Sequence, residues 1–232
     1  MFSAIFEVFP KKERFEEYLA LAKHLKPLLD KIDGFVDNER HKSTRRQGWI
    51  LSHSTWRDEK SVVRWRTTGE HHKIQERGRA EIFDDYHLRV GDVVADTNPP
   101  RAAPIKEQRF DATEVGVAKV VTFTEITPED ASVVPSFTSL ASTLGLDLTA
   151  KGIIDYDVVA SIYNPGKLAL LVSWKNAKAA GGWTPVNPGR FQALRHRTIR
   201  IVRDYGMFDR REAPQFYPDV EGRETKHSEL AR

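Results

Sequence analysis

Hydrophobic and polar positions change their period several times along the chain, and each change marks an element. Ser3 to Phe9, "SAIFEVF", is rich in strand formers and stops at Pro10. From Lys11 the apolar positions Phe15, Leu19, Ala22, Leu25 and Leu28/Leu29 follow helical spacing, with Gly34 just past the end. Pro27 is placed to kink or break the last turn. "FVDNERHKS" and "WILSHSTW" read as two strands around a turn at residues 45–48. Asp58 can then cap a helix directly after the strand-ending Trp56, with Trp65 about two turns into it. "DYHLRVGDVVAD" supplies a last strand.

The same pattern returns. Trp56 and Trp174 stand 118 residues apart, as do Trp65 and Trp183, Glu7 and Glu125, Gly34 and Gly152, and Gly48 and Gly166. Asn176 takes the place of Asp58. Beyond the second tryptophan an offset of 111 pairs Arg79 with Arg190, Leu88 with Ile199 and Arg89 with Arg200, which implies seven residues lost from the second copy. Each copy reads βαββαβ, so the fold class is α+β: two tandem ferredoxin-like domains at 1–96 and 117–205. Each would be a four-stranded antiparallel sheet with two helices on one face. The other face must also be buried. Two arrangements do this: a dimeric α/β-barrel-type pseudo-dimer within one monomer, or pairing with a second chain in a homodimer. Residues 97–116, polar and rich in proline, form the linker. In the C-terminal extension, 206–232, the aromatics up to Tyr217 suggest that residues to about 218 dock on a domain surface or the inter-copy groove, with the last dozen mobile.

Composition narrows the function classes. Hydrophobic residues at 40% and charged residues at 30% are ordinary for a globular protein with a real core. Lys and Arg total 36 against 33 Asp and Glu, and the signs are interleaved, so no nucleic-acid-binding face is expected. The basic stretch "RHKSTRR" at 40–46 reads as a solvated hairpin tip. With no cysteine there is no disulfide, no thiolate nucleophile and no Cys-bound metal. Neither a signal-peptide pattern nor a long apolar run is present, so a cytoplasmic location without membrane contact is the expectation.

The stretches "FEVFPKKERFEEYLALAKHLKPLLDKIDGFVDNER", "STWRDEKSVVRWRTTGEHHKIQERGR" and "FDDYHLRV" together resemble the antibiotic biosynthesis monooxygenase (ABM) domain, one of the dimeric α/β-barrel families. The likeness covers residues 2 to about 96 and reaches 117–205 through the repeat. It implies a pocket between sheet and helices in which a flat aromatic substrate meets dioxygen. The heme-degrading members carry an Asn on strand one and a Trp and a His on the second helix. Glu7 stands near the Asn position, Trp65 matches the Trp, and His71 and His72 follow it more closely than in those members. Polyketide oxidases have an Asn four residues before the strand-end Trp, where this chain has Ser52, and Leu170 in the second copy; their nearby Tyr is Val62 here.

Candidate catalytic residues are therefore Glu7, Trp65, His72 and Arg89, with Ser52, Trp56, Glu125, Trp183 and Arg200 as substrate-binding candidates. His72, seven residues past Trp65, shares its helix face, and His71 is turned away. Glu7 and Glu125 lie in phase with Ile5 and Phe123, pointing inward. Such a carboxylate is either a general base with a raised pKa or the partner of an arginine, with Arg89 and Arg200 as the candidates. The first expectation is a monooxygenase of a small aromatic or quinone-like molecule, needing no cofactor and no metal. The alternatives are a non-catalytic small-molecule-binding or stress-response barrel and a heme-binding, heme-degrading oxygenase.

Overall fold

The computed structural model describes residues 1–101, 103–130, 136–218 and 220; the tail expected to be mobile lies outside these. The first half runs β1 (Phe2–Pro10), α1 (Phe15–Leu29), β2 (Phe35–Ser43), β3 (Ile50–Trp56), α2 (Glu59–Thr67), α3 (Gly69–Arg77) and β4 (Phe83–Asp96). The second runs β5 (Val120–Pro128), α4 (Leu140–Thr143), β6 (Ile153–Ser161), β7 (Leu168–Trp174), α5 (Ala177–Ala180) and β8 (Phe191–Gly206). Two antiparallel sheets, β4-β1-β3-β2 and β8-β5-β7-β6, join at β2–β6 and β4–β8 into one closed eight-stranded barrel. The chain is its own pseudo-dimer, and closure removes every sheet edge.

Alternation along β1 sorts its side chains. Ser3, Ile5 and Glu7 enter the barrel, whereas Ala4 and Phe6 face the helices outside. The interior mixes an apolar cluster (Ile5, Leu51, Val121, Phe123, Leu171, Ile199) with paired charges that repeat across the pseudo-twofold. Arg89 donates to Glu7 at 2.5 Å and crosses to Ser173 at 2.7 Å. Arg197 donates to Glu125 and crosses to Thr55 at 2.9 Å. Arg46 ties Glu7 to Asp157, and Lys167 ties Glu125 to Glu39. The basic hairpin tip is thus docked on the second half rather than solvated, its guanidinium neutralised by two buried carboxylates.

The strand register corrects the offset of the last strand. Arg89 lies opposite Ile5 and Arg197 opposite Phe123, so their separation, 108 residues, replaces the offset of 111. Arg197, not Arg200, is the counterpart of Arg89 and the partner of Glu125. Arg200 instead ion-pairs with Glu107 at 2.7 Å and donates to the Arg109 carbonyl, holding the connecting segment. The second copy has lost ten residues (118 − 108), about the length of the nine-residue α3. Sequence identity among interchangeable Arg-rich neighbours concealed the shift.

Local chemistry explains the remaining elements. Asp58 and Asn176 cap α2 and α5, accepting from the Ser61 and Ala179 amides at 2.8 and 2.9 Å. Helix α1 continues through Pro27 to Leu29, forgoing the bond an amide at 27 would donate to the Lys23 carbonyl. Gly34 has φ +86°, and a Cβ there would stand 2.1 Å from Ser61 Oγ, so the turn into β2 requires glycine.

Candidate active site

A cavity of about 240 Å³ lies between the outer face of the first sheet and α1, α2 and α3. Two cross-strand rows form its floor. One is Arg40, Ser52, Phe6, Leu88 and Tyr205; the other is Asn38, Ser54, Ala4, Val90 and Arg203. Each row crosses β2, β3, β1, β4 and β8, and therefore spans about 19 Å at the usual interstrand spacing. Leu21, Leu25, Val62 and Ile74 supply the helical roof.

Trp65 forms one wall with His71. Between α2 and α3 the chain breaks at Thr68, which is extended (ψ 125°). The break turns His71 back onto the indole, centroids 4.0 Å apart and planes 18° from parallel. His72 leaves the cavity instead, pairing with Glu76 at 3.5 Å and meeting Tyr217. The helix-face reading of the pair is therefore reversed: His71 lines the site and His72 does not. Burial holds His71 down at about 4, so its ring is neutral at physiological pH. With the Nδ1 proton assigned to the Trp65 carbonyl at 3.0 Å, Nε2 is left as an acceptor beside Gln75.

Ser52 and Trp56 also line the cavity, whereas Glu7 and Arg89 lie on the other face of the sheet, inside the barrel. Burial alone would raise the Glu7 carboxyl, but Arg89, His87 and Arg46 outweigh it and hold it well below the usual range. Glu7 is thus a buried anion with fixed partners and not a base of raised pKa. Glu125 occupies the equivalent interior place. One cluster there has metal-ligand geometry: ligand atoms of Glu39, His41 and Glu125 lie within 4.8 Å of one another. The Lys167 ammonium already bridges both carboxylates, and Arg197 sits against Glu125, so the positive charge a cation would bring is supplied.

Where the first half has its cavity floor, the described residues of the second half pack as apolar core. Val158, Leu170 and Val172 replace Arg40, Ser52 and Ser54, and they pack with Leu140, Leu144 and Trp174. Trp183 joins that core, its indole nitrogen donating to the Leu144 carbonyl at 3.2 Å. Tyr18, Asn38 and Arg40, which sequence reasoning missed, reach the cavity, as does His71, which it had set aside as turned away. The contrast of Arg40, Ser52 and Ser54 with apolar residues 118 positions on was the available signal.

The extension after β8 closes one end. Arg210 donates to the Tyr86 hydroxyl at 2.6 Å and Tyr217 to Gln75 Oε1 at 3.0 Å, while Gln215 lines the cavity. It docks on the first half, over the site.

Comparison with known proteins agrees with this picture. The sequence model of antibiotic biosynthesis monooxygenases matches residues 1–77, the stretch that contributes most of the cavity. The chain is 41% identical over 223 residues to the jasmonate monooxygenase ABM of Pyricularia oryzae, covering 94% of this chain and 99% of that protein. Among solved structures, an aldoxime dehydratase in complex with butyraldoxime superposes with a TM-score of 0.55 at 13% identity, over 86% of this chain and 79% of its own. Another aldoxime dehydratase gives 0.53 at 10% identity, over 86% and 80%. These two likenesses speak to the fold alone. With nearly the whole length of a curated relative matched, the chain belongs to the antibiotic biosynthesis monooxygenase family.

Proposed function

We propose that the chain is an ABM-type monooxygenase of a small ring-bearing substrate, and that the first-half cavity is its working site. One observation carries the reading: a polar and aromatic wall faces an open space in the first half, while apolar side chains fill the equivalent place in the second. At about 240 Å³ the space is just below the roughly 300–1,000 Å³ of drug-sized sites, which suits a small molecule. The name of the jasmonate relative adds a cyclic keto acid with an apolar body to the aromatic and quinone-like candidates. Because one chain supplies both halves of the barrel, the monomer is the unit taken to carry the site.

Monooxygenation places one atom of dioxygen in the product and the other in water. For an activated methylene, CH₂ + O₂ → C=O + H₂O balances without an outside reductant. Hydroxylation of an unactivated C–H consumes two further electrons and two protons. In this reading Trp65 and the leucines orient the ring, and the neutral His71 Nε2 accepts a hydrogen bond from an enol or phenol. The test is incubation under oxygen-18 gas with anthrone and with jasmonate, each with and without ascorbate or NADH. A product carrying one labelled oxygen is expected from at least one combination. No enzyme-dependent labelled product in any of them would refute the proposal.

A further inference from the structure

Arg40 is the feature of the cavity that an apolar substrate leaves unexplained. It ends a floor row otherwise made of Ser52, Phe6, Leu88 and Tyr205. Its guanidinium makes one long bond, Nη1 to Asn38 Oδ1 at 3.4 Å, while Nε is enclosed without a partner. Beside it stands the Tyr18 hydroxyl, on a residue only 6% exposed, which interacts with the Arg40 guanidinium without a well-formed hydrogen bond to any group. The carboxylate that lines this cavity, Glu59, is held by both oxygens on Arg109 at 3.0 Å. Shutting a guanidinium N–H away from water without a partner is costly, and the planar fork matches a carboxylate.

Of the other cavity arginines, Arg66 also has an enclosed Nε without a partner, but it lies on the roof helix α2 and not at the end of a floor row. Arg210 is occupied by the Tyr86 hydroxyl and the Gly206 and Gln215 carbonyls. Arg203 lies at the far end of the parallel row, on β8. At the β2 end the Ser52 hydroxyl, which accepts from Asn38 at 3.0 Å, keeps its own proton to give. The second half, with its cavity filled, has Val158 at this place.

We propose that Arg40, with the Tyr18 and Ser52 hydroxyls, is the carboxylate anchor of the cavity, so that its ligand is a small monocarboxylic acid with an apolar body. This deepens, and rests on, the reading of the cavity as the substrate site. The anchor fixes the acid at β2 and points the body along the floor toward Trp65 and His71.

Binding is tested apart from turnover by following Trp65 and Trp56 fluorescence while titrating full-length protein with jasmonate and with methyl jasmonate, whose shapes match but whose charges differ. Wild type is expected to prefer the acid at least ten-fold. In Arg40→Met that preference falls to about one with ester affinity unchanged, which also shows the variant is folded; Arg40→Lys keeps part of it. Equal binding of acid and ester by wild type overturns the assignment, as does an acid preference that survives Arg40→Met or is erased by Arg66→Met instead. Acid binding that depends on Arg40 without any oxygen incorporation would sink the monooxygenase reading and leave the anchor standing. Labelled product from neutral anthrone with no binding of the acid would do the reverse.

Discussion

The indole of Trp65 and the imidazole of His71 lie face to face at 4.0 Å, six residues apart across the break at Thr68. The stack fixes the orientation of an imidazole that lines the cavity. His71→Ala is expected to lower kcat by roughly 10²-fold, the lower end of what a positioned proton acceptor contributes. His72→Ala, outside the cavity, should stay within about two-fold. Steady-state kinetics on both variants checks the pair.

The second half shows how to close the first. Ser52→Leu with Ser54→Val copies Leu170 and Val172 into the cavity floor. We expect ligand binding to be lost while the unfolding midpoint in urea stays equal or rises, because added apolar surface contributes about 25 cal/mol per Å² buried. Fluorescence titration and a denaturation curve read the two effects on one sample.

Arg89 joins the halves through Glu7 and Ser173 with its side chain almost wholly buried. Arg89→Met strands part of the Glu7 charge, and a loss of about 3–5 kcal/mol is expected. The double change Glu7→Gln with Arg89→Met should cost less than Arg89→Met alone, since no uncompensated charge remains. Urea unfolding of the three proteins measures this coupling.

Acid should unfold the protein over a defined range. Burial lowers His41 more than Glu39 raises it, with Lys167 and Arg197 adding to the fall, and it stands at about 4. Between pH 6.5 and 4 the unfolded chain binds a proton here that the folded chain refuses, so stability falls as pH falls. The contribution reaches about 3 kcal/mol by pH 4. His41→Leu should flatten the decline of Tm across that window. An unchanged slope would show that other buried histidines, such as His196 at about 4, dominate.

The extension sets access. Removing every residue after Gly206 takes away Arg210, Gln215 and Tyr217 from the cavity end. Stopped-flow measurement of the truncated chain is expected to show faster ligand release, with the barrel's far-UV signal retained. Release at the wild-type rate would mean that ligands leave by another route.

Period, caps and repeat determined much of the fold. Alternation in β1, the helical spacing of Phe15 to Leu29, Asp58 and its echo Asn176, and the 118-residue offset are local or self-similar features, so composition and spacing express them directly. Closure of the barrel within one chain was one of two arrangements the sequence allowed, and the β2–β6 and β4–β8 pairings chose between them. What the sequence could not express was the side of each strand and helix that met open space. A single extended residue, Thr68, exchanged the roles of His71 and His72, and a ten-residue deletion moved the partner of Glu125 from Arg200 to Arg197. Both depend on where the backbone turns relative to packing from other elements. Packing among residues far apart in sequence also decided that the first half would hold a cavity and the second would fill it.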